Sequence, residues 1–148
     1  MINLLKNILN QENSKDDKEG NKNLELMCGL MIEAAFTDGK IEESELKKIK
    51  FSLVNVFDED LEEVDLVLDE AIKNKNNSKS LHYYTSFINK NFDDDKKLLL
   101  IEALWEIVLS DGEIHDFESN LIRRLAGLLY ISDVESGNAR KRALNKNS

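Results

Sequence analysis

The chain has 148 residues, 41% hydrophobic and 33% charged, with a formal net charge of -9. That suits one soluble globular domain whose core needs no disulfide or structural metal. The acidic balance argues against nucleic acid as a partner, because phosphates would be repelled. One cysteine, Cys28, excludes an internal disulfide, and no apolar run approaches the length of a membrane span.

Proline is absent and no run of alternating β-branched residues stands out, so the apolar spacing reads as helix almost throughout. Residues 2–9 carry Ile2, Leu4, Leu5, Ile8 and Leu9, a short amphipathic helix. "MINLLKNILN" lacks a continuous apolar region and a small-residue cleavage site, so it is not read as a signal peptide, and the expected location is cytoplasmic. Residues 10–22 hold no large apolar side chain and read as a polar linker, so the expected division is 1–22 and a single domain at 23–148.

The first core helix is expected from about Leu24 to Thr37, with Leu24, Met27, Cys28, Met31, Ala34 and Ala35 as its stripe and Gly39 as its stop. Cys28 reads as a small buried hydrophobe. A second helix over about 43–57 faces inward through Leu46, Ile49, Leu53, Val56 and Phe57. A third near 59–75 uses Leu61, Val64, Leu68, Ala71 and Ile72, and 74–80 is a loop. A fourth near 80–91 presents Leu81, Tyr84, Phe87 and Ile88.

"DDDKK" at 93–97 opens the fifth helix, acids first, as the dipole favours. The helix then reads "LLLIEALWEIVL", apolar nearly all round, which places it at the centre with Trp105 inside. It is expected to end at Asp111-Gly112. The sixth, near 116–130, packs Phe117, Leu121, Leu125, Leu128 and Leu129. "SDVE" at 132–135 reads as a capping box before a last, polar helix with a frayed end. Residues 123–148 hold six Lys/Arg against two Asp/Glu, a basic tail suited to an acidic partner or to a solvated helix end.

"TDGKIEESE" at 37–45 and "SDGEIHDFE" at 110–118 share the skeleton Asp-Gly-x-Ile-x-x-x-Glu, 73 positions apart. With Asp38 set on Asp111, Glu33 meets Glu106, Ile41 meets Ile114, Glu45 meets Glu118 and Ile49 meets Ile122; Phe57 meets Tyr130 and Asp60 meets Asp133. The expectation is an all-α, duplicated helical-hairpin bundle of about seven helices, with repeats at 24–72 and 97–145.

The skeleton also matches the second half of an EF-hand loop. The first half excludes one, because loop positions 1 and 3 would be Ala34 and Phe36, or Ile107 and Leu109, none of which ligates a cation. Two readings remain for the turns. In one, Gly39 and Gly112 end helices, Ile41 and Ile114 anchor the turns, and Glu42, Glu43, Glu45, Asp116 and Glu118 cap the next helix. In the other, Asp38, Glu45, Asp111 and Glu118, helped by Asp116 or His115, bind a cation that relieves their mutual repulsion. Oxygen ligands favour Ca²⁺, Mg²⁺ or Mn²⁺, and His115 would permit Zn²⁺.

Residues 102–133, "EALWEIVLSDGEIHDFESNLIRRLAGLLYISD", resemble the second half of a TerB-family (tellurite-resistance-type) domain. Residues 29–49, "GLMIEAAFTDGKIEESELKKI", resemble its first half, and "SLHYYTSFIN" at 80–89 its connecting segment. The pattern covers roughly 24–143 and is also similar to the N-terminal module of the membrane-anchored co-chaperone DjlA. Neither that anchor nor a His-Pro-Asp motif appears here, so a stand-alone module is expected. The resemblance implies an all-α duplicated fold and a metal site that falls here on Asp38, Glu45, Asp111 and Glu118, with Asp116 a weaker addition. It also implies a context of tellurite or other chemical stress and complexes at the inner face of the membrane, although shared fold alone does not fix function.

No phosphate-binding glycine loop and no Ser/Cys-His-Asp set is present, so the expected protein is not an enzyme. His82 beside Tyr83 and Tyr84 reads as structural or exposed. The alternative to a cation-binding module is a metal-free protein–protein adaptor. It would use the basic last helix or residues 2–9, which also offer a weak peripheral membrane contact.

Overall fold

The computed structural model describes residues 22–36, 41–74, 80–110 and 116–147. The helix expected at 2–9, most of the linker, Asp38, Gly39, Asp111, Gly112 and His115 lie outside the described residues. Within them the chain is all α. The helices are α1 (22–35), α2 (Glu43–Phe51), α3 (Leu61–Lys73), α4 (Leu81–Asn91), α5 (Asp94–Val108), α6 (Asp116–Leu128) and α7 (Asp133–Asn147).

α5 is the axis of the bundle. Asp93 caps it by accepting the Lys96 N–H at 2.8 Å, and Asp94 and Asp95 sit at its positive end. From Leu100 to Leu109 every residue is buried, Trp105 among them. A helix apolar nearly all round must be covered nearly all round. α2, α6 and α7 pack against α5, α7 most extensively; α4 leans on α6, and α3 on α2. α1 lies on α4, where Gly29 faces the Tyr84 ring and Lys22 Nζ stands 5.8 Å from the Phe87 ring centre.

α7 is the polar helix expected after the 132–135 cap, and it is more than a solvated tail. It runs to Asn147 and covers α5 more extensively than α2 or α6 does. Its inward face is Ser136, Ala139 and Ala143, all buried. Alanines let the two backbones approach, but they give a weak apolar signal in sequence. Leu61 also differs from expectation: it is 54% exposed, because it is the first residue of α3 and lies beyond the core edge.

The two halves present the same order of elements, with one offset. α2 runs on into a π-helical turn at Ser52–Val56, with Phe57 N–H bonded to Ser52 C=O at 3.2 Å. A π turn holds one residue more than an α turn. α6 has no such turn and closes instead with Tyr130 N–H on Gly127 C=O and Ile131 N–H on Ala126 C=O. Downstream, the equivalences therefore slip by one. Asp58 (φ 56°) matches Tyr130 (φ 63°), both left-handed, so Phe57 does not. Asp60 matches Ser132: Asp60 caps α3 through Glu63 N–H at 3.3 Å, and Ser132 caps α7 through Glu135 N–H at 3.1 Å.

Candidate cation site at two acidic helix starts

Glu45 and Glu118 hold the same place, the third residue of α2 and of α6. Each is only 6% exposed, unusual for a glutamate in the first turn of a helix. In the first copy the local reason is visible. Glu42 is extended (φ -72°, ψ 150°) and precedes the helix, and its N–H donates to Glu45 Oε1 at 3.1 Å. That bond folds the Glu45 side chain back over the helix start, satisfies an amide the helix cannot, and sets a carboxylate at the positive dipole end. Ile41, just upstream, packs partly buried against the core.

Asp116 opens α6 and is exposed. Asp38 and Asp111 lie outside the described residues, so the structure describes Glu45, Glu118 and Asp116 of the expected set. Among the described residues, no three His, Cys, Asp or Glu side chains gather as a metal cluster. The positions an EF-hand would need are core positions. Ala34 lies on α1 and Ile107 on α5, both wholly buried, and Leu109 closes α5 in the interior.

Other chemistry-bearing residues have plainer places. Burial pushes the Cys28 thiol up to about 12, so it is not a nucleophile at neutral pH. His82 is exposed, with its Nε2 3.4 Å from Ser86 Oγ. Two cations of the basic tail meet acids of α5: Arg142 pairs with Glu102 at 2.8 Å and Lys146 with Glu106 at 3.1 Å. Sequence reasoning missed these buried acids. The signal was there, two Glu one turn apart in an apolar helix and two cations one turn apart in the last.

A family model described as tellurite resistance protein TerB matches residues 24–141. The chain belongs to the TerB family. The TerB match begins early in α1 and ends within α7, so it takes in all seven helices and both acidic helix starts. No curated protein and no solved structure gives a significant match. Among the described residues of this TerB domain, no helix is long and apolar enough to cross a membrane.

Proposed function

We propose that this TerB-family chain is a non-enzymatic binding module that takes a divalent cation at its acidic turns, in a bacterial stress response of the tellurite-resistance type. The observation that carries the reading is the matched burial of Glu45 and Glu118, 6% exposed in each copy. Buried carboxylates set alike in both copies are hard oxygen donors of the kind a divalent cation takes. Asp38 and Asp111, seven positions upstream, would add one carboxylate to each, and Asp116 a weaker one. An all-oxygen set of hard donors fits Ca²⁺, Mg²⁺ or Mn²⁺, and His115 would extend the fit to Zn²⁺. The cation would supply positive charge that lets the carboxylates stay ionised together.

Calorimetric titration of the chelator-stripped chain with Ca²⁺, Mg²⁺, Mn²⁺ and Zn²⁺ tests this. Saturable binding that is lost in the D38N/D111N variant supports the site. Absence of heat for all four metals, with a variant that is merely less stable, refutes it.

The Glu42 N–H bond to Glu45 favours a second reading, because it gives Glu45 an architectural task without metal. The chain would then be a metal-free protein–protein adaptor or a co-chaperone-like module. Partner capture unchanged by chelation, and reduced by removing residues 1–22 without loss of stability, would select it. Sedimentation with anionic vesicles, with and without residues 1–22, would separate a membrane contact from a protein one.

A further inference from the structure

α7 carries cations in two situations. Arg142 and Lys146 rest on Glu102 and Glu106. Arg140 does not. Its guanidinium lies over the Trp105 ring, 5.7 Å from the centre, and its Nε–H is buried with no hydrogen-bond acceptor. Among the described residues neither Arg140 nor Arg123 of α6 makes an ion pair, although the chain has 29 acidic side chains.

Both arginines line one cleft of about 340 Å³ between α5, α6 and α7, walled by Trp105, Asp133, Ser136 and Gly137. The Trp105 indole N–H donates to Ser136 Oγ at 3.3 Å, which fixes the ring as a flat wall under Arg140. A Cβ built on Gly137 would meet no atom within 4 Å, so that side is open space. A sheltered guanidinium N–H without an acceptor is costly. A ligand that supplies the acceptor recovers that cost, and the guanidinium fork matches the paired oxygens of a carboxylate or phosphate. The volume falls at the small end of small-molecule sites.

We propose that this cleft binds the oxyanion group, carboxylate or phosphate monoester, of a small molecule, held by Arg140 and Arg123. Asp133, exposed at the first turn of α7, accepts a hydroxyl from the rest of the ligand and disfavours a bare, multiply charged anion. No metal takes part, so the site is independent of the acidic turns.

The test is a ¹⁵N NMR titration of the full chain in chelator with glycerol 3-phosphate, lactate and inorganic phosphate. Saturable shifts of the Trp105 indole and Arg140 Nε–H signals with either organic probe are expected, and which probe acts assigns phosphate or carboxylate chemistry. Binding should weaken about tenfold or more in R140Q and in R123Q. G137L replaces a poor helix former and fills the open side, so it should keep the thermal midpoint and lose the ligand. No saturable shift with either organic probe, parental affinity in both arginine variants, or unchanged binding in a folded G137L would overturn the proposal. Inorganic phosphate binding as tightly as the organic probes would remove the role given to Asp133.

Discussion

Arg142 on α7 donates its Nε–H to Oε1 of Glu102 on α5 at 2.8 Å, forty positions away in sequence. The Glu102 side chain is 10% exposed and that of Arg142 48%. The acid is thus buried while the arginine side chain stays half in water. Lys146 reaches Glu102 at 3.8 Å and Glu106 at 3.1 Å. Removing a cation leaves a buried carboxylate uncompensated, a cost moderated by the water at the cation end. R142M should lower unfolding free energy by about 1–2 kcal/mol, and R142M/K146M by more than R142M alone. E102Q added to R142M should restore part of the loss. Urea denaturation reads all three variants against the parent, and an R142M as stable as the parent would show that the pair does not hold α7.

Cys28 gives a dependence on alkaline pH. The thiol's ordinary value is 9.0, and burial pushes it up to about 12. Below about pH 9 the thiol is protonated folded or unfolded, and its full contribution is present. As pH rises the unfolded thiol ionises first, so stability falls by about 1.4 kcal/mol per pH unit until the folded thiol titrates as well. Denaturation at pH 8.0, 9.5 and 10.5 should show that slope in the parent beyond the slope in C28A. Parallel profiles would place Cys28 in a wetter site.

Gly29 admits no side chain without a shift of Tyr84. A Cβ there would lie 2.8 Å from Tyr84 Oη and 3.1 Å from Cε1. Alanine is the better helix former, so propensity alone would raise stability. Overpacking should win, and G29A should cost about 1–3 kcal/mol. Y84F removes the nearest atom, so G29A should cost less in a Y84F background, a coupling that a double-mutant cycle measures directly.

Tyr130 ends α6 in the left-handed region (φ 63°) and is 85% exposed. The Lys97 ammonium stands over its ring, 5.7 Å from the centre. Glycine is the usual residue at such a helix end. Y130G should raise the thermal midpoint, by about 0.5–1 kcal/mol in stability, because relief of backbone strain exceeds the loose ring contact and the extra freedom of the unfolded chain. A lower midpoint would mean that the Lys97 contact carries more than its exposure suggests.

The helices were legible because their large apolar residues recur at helical spacing. α5 could be placed at the centre from "LLLIEALWEIVL" alone. The last helix was legible too, but its packing escaped because Ala139 and Ala143 carry little hydropathy, so a helix that packs by closeness rather than bulk looks like a solvated one. The register slip after the π turn escaped because residue identity favoured pairing Phe57 with Tyr130, while backbone geometry pairs Asp58 with it. At the candidate site, Glu45 and Glu118 were found by the repeat. Their burial was not, because an acidic residue in a first turn reads as solvated until a bond such as that from Glu42 turns it inward. The Arg140 cleft left no local mark, since its walls come from three helices.

The placement of α7 also sets an order of events during synthesis. α5 leaves the ribosome with an apolar surface on nearly every side, and α6 must follow before α7, which covers it more than α2 or α6 does, exists. Until then a tryptophan-bearing helix waits uncovered on the side that α7 takes, prone to association with other chains. Closure of this TerB domain therefore waits for the synthesis of α7, and a ribosome stalled between α6 and α7 would display a nascent chain that chaperones recognise.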